Sequence, residues 1–386
     1  DWNSDVCSSD LKNRRNAVPV LRHALHPQRR RAARPLGRAR VRRTHARIAV
    51  KKILVIAPAW VGDAVLAQPL FMRLRARDPA LQLDVLAPAW THALFARMPE
   101  VDTTLTSPFA HGELAWGRRR TLAREIAARG YDEAIVLPNS FKSALVPWFA
   151  QIPHRTGYIG EARFGLVNDA RRLDKRALPL MVERFAALAA PRGAALTRPL
   201  PAPRLVVNES SRNATLGKLG LAAAAPVAVL CPGAEYGPAK RWPAPYFAAL
   251  AGKLAAAGYA VWLAGSANDA ATGAEIARLA GSNCINLCGR TTLAEAIDLL
   301  SGAAIVISND SGLMHVAAAL ERPLVALFGS SSPAFTPPAG ARSRVVRLEL
   351  PCSPCFKRAC PLGPFDCMMR LTPDAVWPHI ERARTA

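Results

Sequence analysis

Short apolar runs alternate with longer amphipathic stretches throughout residues 51–386. Each apolar run is bounded by polar or turn residues, which is the pattern of a strand buried inside a parallel sheet. In the first half of the chain we predict strands at 53–56, 81–86 and 133–137, and helices at 63–77, 90–98 and 118–129. Strands and helices in alternation predict a parallel sheet with right-handed crossovers.

A proline-rich stretch interrupts this alternation between residues 190 and 225 and is the best candidate for a linker. Beyond it we predict strands at 227–230, 260–264, 285–287, 304–308 and 324–328, and helices at 243–257, 269–280, 292–301 and 311–320. The chain therefore predicts an α/β protein with two Rossmann-like, doubly wound domains, 50–205 and 206–386, that face each other across a cleft. Ligands of such sheets bind beyond the carboxyl ends of the strands.

Composition agrees with a folded protein of this size. The chain has 386 residues, of which 51% are hydrophobic, so it can bury a sizeable core. Its formal charge of +23 is unevenly distributed, because residues 1–50 hold 13 Lys and Arg against 3 Asp and Glu. No recognised nucleic-acid-binding module occurs in the remainder, so we expect no nucleic-acid partner.

Residues 1–49 differ in texture from the rest of the chain. They are rich in Arg, Ala and Pro without a sustained period, and such a segment cannot bury enough apolar surface to fold. Residues 1–11 resemble the translation of a sequencing adapter, and the first methionine is Met72. We expect residues 1–49 to be a disordered, non-native extension. The alternative is a basic arm for RNA or anionic lipid, carried by the arginines at 29–31 and 42–43.

No signal-peptide pattern and no long uninterrupted apolar segment occurs in the chain, so we expect a cytoplasmic protein with reduced thiols. Four cysteines nevertheless cluster within 16 residues, at Cys352, Cys355, Cys360 and Cys367. That density could bind a structural zinc ion or an iron–sulfur cluster. The spacing matches no common zinc template well, so a structural metal remains an alternative and no catalytic metal is predicted.

The first predicted strand leads into residues 60–63, where Gly62 and Asp63 stand at the start of a helix. Asp63 suits an N-cap, which accepts a free backbone N–H, or a general base that projects into the cleft. Gly62 would allow close approach of a substrate. No G-x-G-x-x-G fingerprint follows this strand, which counts against a nicotinamide-dependent enzyme.

Two loops in the second half carry candidate anion-binding groups. The loop after strand 227–230 places Lys240 and Arg241 side by side before a helix, which suits an anionic ligand or a solvated surface loop. Strand 304–308 runs into residues 309–315, where free N–H groups of a helix start can hold a diphosphate. His315 lies one turn after Ser311 and can face the same ligand or pack in the core.

A third polar loop follows the predicted strand at 133–137 and carries Asn139, Ser140 and Lys142, with Arg155 a little further on. These groups could hold an acceptor that bears phosphates or carboxylates. They could equally be a helix cap with surface charges.

Several blocks, in this order, closely resemble the ADP-heptose:lipopolysaccharide heptosyltransferases of glycosyltransferase family 9 that add the second inner-core heptose. These blocks are VGD (61–63), LPNSFKSALVP (137–147), IPHRTGY (152–158), PLMVERF (179–185), CPGAEYGPAKRWP (231–243) and NDSGLMHVAAALERPLVALFGSSSPAFTPP (309–338). The resemblance covers residues 51–386 and implies the two-domain GT-B fold, with the acceptor on the N-terminal domain and the donor on the C-terminal domain.

The resemblance also implies roles for individual residues. Asp63 corresponds to the general base, and Lys240 to the lysine that stabilises the departing ADP diphosphate. The implied donor-binding residues are Gly233, Glu235, Lys240, Arg241, Asp310, Ser311, Gly312 and His315, and the implied acceptor-binding residues are Gly62, Asn139, Ser140, Lys142 and Arg155. No cofactor and no divalent metal are expected, because Lys240 and the helix start serve the leaving group and no Asp-x-Asp motif occurs.

The implied reaction is inverting transfer of L-glycero-D-manno-heptose from ADP-heptose to the heptosyl-Kdo2-lipid A acceptor of the lipopolysaccharide inner core. The implied location is the inner face of the inner membrane, with peripheral attachment. One alternative is a sister transferase that acts on Kdo or another core acceptor. Another is a non-catalytic two-lobed sugar-nucleotide-binding protein, which would normally carry an export signal and would not need Asp63.

Overall fold

Two parallel six-stranded sheets form the framework of the protein across its described residues. The computed structural model describes residues 50–110, 112–222 and 225–384, and the prediction for residues 1–49 lies outside these ranges. The first sheet has the order β3-β2-β1-β4-β5-β6, and the second the order β12-β11-β10-β7-β8-β9. The strands are β1 (Lys52–Ile56), β2 (Gln82–Ala87), β3 (Thr103–Thr106), β4 (Glu133–Val136), β5 (His154–Tyr158), β6 (Asp169–Arg171), β7 (Val227–Cys231), β8 (Ala260–Leu263), β9 (Ile285–Asn286), β10 (Ile305–Asn309), β11 (Leu324–Phe328) and β12 (Ser343–Arg347).

Helices cover both sheets. They are α1 (Val61–Leu66), α2 (Gln68–Arg77), α3 (His92–Phe95), α4 (Trp116–Ala127), α5 (Leu145–Phe149), α6 (Met181–Ala187), α7 (Glu209–Leu219), α8 (Ala244–Ala256), α9 (Ala270–Ala280), α10 (Leu293–Ser301), α11 (Gly312–Ala319), α12 (Asp366–Met369) and α13 (Pro373–Arg384). Every strand pair is parallel, for example β1 with β2 and β4, and β10 with β7 and β11. The predicted fold class, two Rossmann-like doubly wound sheets, is therefore confirmed.

The apolar runs of the sequence form the central strands of the two sheets. Helices cover both faces of these strands, so consecutive residues along them are buried. β7 and β11 are fully buried along their length, and in β1 only Lys52 is partly exposed. The edge strands β3 and β6 are polar and half-exposed, and they were not predicted because they contain no apolar run.

The predicted helix at 63–77 is two helices in the structure. α1 ends at Leu66 and α2 begins at Gln68. Pro69 has no N–H to donate to the carbonyl group four residues earlier, so the helical hydrogen bonding is interrupted there. The break turns the Gln68 side chain toward the linker, where it exchanges two hydrogen bonds with the backbone of Arg204 at 2.7 and 2.8 Å.

The proline-rich stretch is anchored to both halves of the molecule. Leu205 N–H donates to the Ala319 carbonyl of the second half, and Val206 N–H donates to the Arg97 carbonyl of the first, each at 2.9 Å. Arg97 also forms an ion pair with the buried Asp298 of α10. The two halves are thus connected by polar contacts as well as by the chain, and the proposed domain boundary after residue 205 lies in this stretch.

Candidate active site

The candidate residues follow the four strands that flank the two switch points of the fold. In each sheet the strand order reverses between two neighbours, β1 and β4 in the first and β7 and β10 in the second. Loops from such a pair diverge to opposite faces of the sheet and leave a crevice between them. The four polar loops predicted from the sequence, which carry Asp63, Lys142, Lys240 and Asp310, lie directly after these four strands, whereas Arg155 lies on β5.

Two helix starts bring the halves together at this crevice. α1, from the first half, packs against α11, from the second, through glycines at the contact. A Cβ atom on Gly62 would lie 2.8 Å from the His315 ring, and one on Gly312 would lie 2.8 Å from Cβ of Val61. Both distances are shorter than real Cβ contacts allow, so the two glycines make this approach possible.

Asp63 lies in the first turn of α1, within electrostatic range of the second half. Desolvation raises the pKa of its carboxyl to about 6, Lys240 acts to lower it and Asp310 to raise it. The N-cap position is Trp60, and the Asp63 carboxylate makes no hydrogen bond to any described residue. It is therefore free to accept a proton, and it does not serve as a cap.

Lys240 is held in place by a carboxylate. Its Nζ lies 2.6 Å from Oδ2 of Asp310, and the Ser331 hydroxyl donates to the same oxygen at 2.5 Å. Asp310 is 5% exposed and the Lys240 side chain 17%. One of the three ammonium donors is thus engaged, and the others remain for an anion.

The start of α11 adds further hydrogen-bond donors. Ser311 is its N-cap, but the hydroxyl lies 3.2 Å from that of Ser308 and makes no capping bond. The first N–H groups of the helix therefore lack a side-chain acceptor, and they carry the positive end of the helix dipole.

His315 is buried one turn into α11. Burial lowers the pKa of its ring to about 4, which Asp310 opposes and Lys240 reinforces, so the imidazole is neutral at pH 7. Its Nδ1 is buried and has no hydrogen-bond partner among the described residues. A neutral ring beside Gly62 adds a polar atom to the crevice without adding charge.

Together these groups provide two complementary functions. Lys240 and the α11 start supply positive charge, and Asp63 supplies a carboxylate whose pKa is raised toward neutrality. A site of this kind can hold a diphosphate and accept a proton nearby, as transfer of a group from a nucleotide to a hydroxyl requires.

A family model described as glycosyltransferase family 9 (heptosyltransferase) matches residues 119–365, which is more than half of the chain. The chain belongs to glycosyltransferase family 9. It is accordingly a glycosyltransferase, and the family resemblance inferred from the sequence blocks is confirmed.

Individual members of the family match over most of the chain. The chain is 52% identical to lipopolysaccharide heptosyltransferase 2 of Escherichia coli K12 over 308 residues, and 51% identical to that of Salmonella typhimurium LT2 over 306. Each match covers 77% of this chain and 88% of the relative. A solved structure of E. coli ADP-heptose lps heptosyltransferase II superposes with a TM-score of 0.79 at 45% identity, and the match covers 86% of this chain and 98% of that one. The GT-B fold expected from the resemblance is thereby confirmed.

The loop of Lys240, between β7 and α8, carries three more residues predicted for the donor side of this family 9 enzyme, Gly233, Glu235 and Arg241. The Glu235 side chain is turned to the next loop, where Ser266 Oγ and Asn268 Nδ2 donate to it at 3.1 and 3.2 Å. Gly233 is packed so closely on Asp269 that a Cβ atom would overlap its carboxylate. Arg241 has a buried Nε without a partner among the described residues. Gly233 and Glu235 thus contact a second polar loop, which carries Ser266, Asn268 and Asp269.

The predicted acceptor loop is held in shape by an arginine that sequence reasoning missed. Arg163, 4% exposed, donates to the Pro138 carbonyl at 2.7 Å and to Asn139 Oδ1 at 3.1 Å. Lys142, by contrast, makes no side-chain hydrogen bond or ion pair within the described part of the chain. The sequence offers no signal for Arg163, because its partners are backbone carbonyls and an amide that only the fold brings near.

Arg155 does not join the other predicted acceptor residues. It lies at the beginning of β5, whereas the crevice lies at the strands' carboxyl ends. Its guanidinium donates to the carbonyls of Ile152 and Leu166 at 2.6 and 2.7 Å, and to that of Gly165 at 3.3 Å. These bonds engage three of the five guanidinium N–H groups, and they hold Arg155 against its own segment, apart from the loop of Asn139.

A cysteine-containing segment supports the Lys240 loop and was also missed as part of the site. Arg358 Nε donates to the Tyr236 carbonyl at 2.8 Å, Tyr236 Oη donates to the Phe356 carbonyl at 2.8 Å, and Ala239 N–H donates to the Arg358 carbonyl at 3.0 Å. On its other side, Phe356 N–H donates to the Ser330 carbonyl at 2.7 Å. Residues 353–358 therefore tie the Lys240 loop to the loop of Ser331, and we call this segment the strap.

The four clustered cysteines are free thiols, of which Cys355 lies within the strap and the other three lie outside it. Burial and the neighbouring thiols raise the pKa of Cys367. Within the described ranges no three His, Cys, Asp or Glu side chains are arranged to hold a metal ion. In the same part of the chain no helix has the length and hydrophobicity to span a bilayer.

Proposed function

We propose that this enzyme transfers L-glycero-D-manno-heptose from ADP-heptose to the first heptose of the lipopolysaccharide inner core, with inversion at the anomeric carbon. The observation that carries the proposal is the position of Asp63, within electrostatic range of the Lys240–Asp310 pair. The high identity to two lipopolysaccharide heptosyltransferases 2 supports the choice of sugar and acceptor.

The second half binds the donor in this proposal. The diphosphate lies between Lys240 and the free N–H groups at the start of α11, where both the ammonium charge and the helix dipole favour it. Negative charge grows on the diphosphate as its bond to the sugar breaks, so the same groups stabilise the transition state more than the bound donor. Asp310 keeps Lys240 oriented throughout.

The first half binds the acceptor and supplies the base. The acceptor hydroxyl oxygen bonds to the anomeric carbon on the face opposite the diphosphate, while the bond from that carbon to the ADP oxygen breaks. The hydroxyl proton passes to the Asp63 carboxylate, and the products are ADP and the extended core. A base with a pKa of about 6 is ionised at pH 7 yet basic enough to accept this proton.

The acceptor lies against the loop of Asn139, Ser140 and Lys142, next to Gly62. Lys142 is unpaired within the described residues and suits the phosphates and carboxylates of an inner-core acceptor. Because that acceptor is anchored in lipid, we place the enzyme in the cytoplasm, peripheral to the inner face of the inner membrane. We place the boundary between the acceptor-binding domain and the donor-binding domain after residue 205.

An acceptor panel tests the proposed function. The full chain is incubated with ADP-heptose and with core acceptors that end in Kdo, in one heptose or in two heptoses, and ADP release is measured. Release with the one-heptose acceptor alone is expected. Release only with the Kdo-ended acceptor would assign the sister activity, and binding of ADP-heptose without release on any acceptor would favour a non-catalytic binding protein.

Metal removal tests how the leaving group is stabilised. Lys240 and the α11 start already supply positive charge to the diphosphate, so we expect kcat/KM to be unchanged in excess EDTA. A loss of activity that Mg²⁺ restores would show that these groups are insufficient.

A further inference from the structure

An exposed group of aromatic and basic side chains lies on the first half, outside the crevice. It consists of Trp116, Arg120 and Arg124 of α4 together with Trp148 and Phe149 of α5, and we call it the aromatic–arginine patch. Trp116 and Trp148 are 43% and 40% exposed. None of these residues has a role in the proposed reaction.

The rings of the patch contact one another and form a continuous surface. The centroids of Trp116 and Phe149 are 5.2 Å apart in an edge-to-face arrangement, and those of Trp148 and Phe149 are 4.9 Å apart. The Arg120 guanidinium lies 5.2 Å from the Phe149 centroid. The indoles of Trp116 and Trp148 thus lie on either side of the Phe149 ring, and the Arg120 guanidinium packs against that ring.

The charge of this surface is positive. α4 carries four arginines against the single acidic residue Glu125. Arg118 is paired with Glu113 at 2.7 Å, and Arg119 lies over the ring of Phe109. Arg120 and Arg124 form no ion pair within the described residues and are exposed. The patch therefore presents uncompensated cations beside exposed indoles.

This combination fits the headgroup region of an anionic bilayer. Indole rings partition to the interface, where one side meets hydrocarbon and the other meets water, and arginines bind lipid phosphates. We propose that the aromatic–arginine patch docks the enzyme on anionic phospholipid. The proposal rests on the proposed function, because a lipid-anchored acceptor requires the enzyme to work at a membrane surface.

The position of the patch agrees with this role. The acceptor loop passes through the turn Phe141–Ala144 directly into α5, so Lys142 is six residues from Trp148. The neighbouring segment between β5 and β6 packs Leu166 in one cluster with Leu145 of α5, and exposes Phe164 to 78%. Docking through α4 and α5 therefore brings the acceptor loop close to the headgroups.

Vesicle sedimentation tests docking without any need for activity. The full chain is mixed with phosphatidylethanolamine–phosphatidylglycerol vesicles or with neutral phosphatidylcholine vesicles. We expect salt-sensitive binding to the anionic vesicles, weakened at least about tenfold by Arg120→Glu with Arg124→Glu and by Trp116→Ala with Trp148→Ala. The matched control is Arg278→Glu with Leu279→Ala, an exposed pair on α9 of the second half, which should bind like wild type.

A second measurement covers the case in which a variant loses its fold. Brominated lipids quench indoles that enter the bilayer interface, so they should quench wild-type fluorescence. The conservative changes Trp116→Phe and Trp148→Phe should remove most of that quenching. Equal vesicle binding by wild type and the folded charge-reversal variant would overturn the proposal, as would an equal loss in the α9 control.

Kinetics separate failure of docking from failure of the proposed function. With an acceptor embedded in anionic vesicles, the patch variants should lose about as much activity as binding. With the same core oligosaccharide freed of lipid, they should match wild type. If wild type extends neither acceptor, the proposed function fails whatever the vesicles show. If the variants lose activity on both acceptors while wild type is active, the patch serves the fold or the reaction and the docking proposal is wrong.

Discussion

The crevice loops of the two halves are held in very different ways. In the second half, Lys240, Asp310 and Ser331 are joined by short polar contacts, and the strap adds hydrogen bonds from behind. In the first half, the Asp63 carboxylate has no hydrogen-bond partner among the described residues, and the neighbouring Trp60 is 48% exposed. The second half thus presents a charged site whose loops are held by hydrogen bonds, which we call the braced side. The first half presents a carboxylate without a hydrogen-bond partner among the described residues, which we call the open side.

The difference follows from what each side handles in the proposed reaction. Charge that grows on a leaving group is stabilised best by donors that need not reorganise, which favours a braced loop. A proton acceptor must stay unpaired, because each hydrogen bond donated to its carboxylate would lower its pKa and weaken it as a base.

Loss of the Asp63 carboxylate on the open side should lower activity more than loss of any single group on the braced side. Asp63→Ala removes the base, and kcat should fall by at least about 100-fold. In the wild type, kcat should rise as the pH passes through about 6, because the carboxylate must be ionised to accept a proton. Steady-state rates from pH 5 to 8 check both points, and a folded Asp63→Ala enzyme with wild-type kcat would exclude this base.

The braced side should lose its leaving-group stabilisation with Lys240→Ala. We expect kcat/KM for ADP-heptose to fall about 10- to 100-fold, since one charged hydrogen bond to the diphosphate is lost. Lys253→Ala is the control, because Lys253 pairs with Asp374 on an exposed surface of the same half. An equal, small effect of both changes would mean that the diphosphate is held elsewhere.

A second substitution at Asp310 separates the catalytic role of Lys240 from its contribution to stability. Lys240→Ala leaves Asp310 buried with only the Ser331 hydroxyl, which can destabilise the fold. Adding Asp310→Asn should restore thermal stability without restoring kcat/KM.

Loosening the strap should have a smaller effect and act mainly on the donor. Arg358→Ala removes the hydrogen bond to the Tyr236 carbonyl, and we expect KM for ADP-heptose to rise about 3- to 10-fold with little change in kcat. Tyr236→Phe, which removes only the bond to Phe356, should raise KM less. ADP affinity measured by calorimetry should fall in parallel, whereas Arg347→Ala on β12 should match wild type. Unchanged donor KM in both Arg358→Ala and Tyr236→Phe would limit the strap to a structural role.

The smallest expected effect is on the free energy of unfolding. Replacing the Asp63 carboxylate should lower activity but raise stability. The folded-state pKa of Asp63 is raised above its unfolded value, so its contribution to stability is lost as pH rises from about 4 through 6. Asp63→Asn stays neutral and should be more stable by about 1 kcal/mol at pH 7, after discounting for partial solvent contact. Denaturant unfolding at pH 4 and pH 7 checks this, and an equal difference at both would point to packing.

The central framework was readable from the sequence. Buried runs such as those of β1 and β7 contain several consecutive apolar residues, and this feature survives in any parallel sheet because both faces are covered. The strands β3, β5, β6 and β12 were missed. β3, β6 and β12 lie at sheet edges and are half-exposed, and β5 begins with the polar residues His154 and Arg155 and contains no apolar run. The helix break before Pro69 was missed for a different reason, because an apolar period continues across it.

The candidate site divides in the same way. Asp63, Lys240, Asp310 and His315 were identifiable because polar residues directly after buried strands must lie at one edge of a sheet, and because their blocks resemble a known family. Arg163, Arg358 and Tyr236 could not be identified, since they donate to backbone carbonyls that lie far away in the sequence, those of Pro138, Tyr236 and Phe356 respectively. Arg155 stays a prediction for the acceptor site, but the structure places it at the start of β5, where its guanidinium donates to the carbonyls of Ile152 and Leu166.

The sequence by itself determined the class of fold, the four loops that carry chemistry and the family to which the enzyme belongs. The local sequence pattern is enough to predict these features, because a buried strand and the loop that follows it are adjacent along the chain. Only the tertiary structure decided which cation meets which carboxylate, that Gly62 and Gly312 let two helix starts touch, and that Asp63 is left unpaired. These features arise where segments far apart in the chain approach one another. That approach desolvates the Asp63 carboxylate and pairs the Asp310 carboxylate with Lys240.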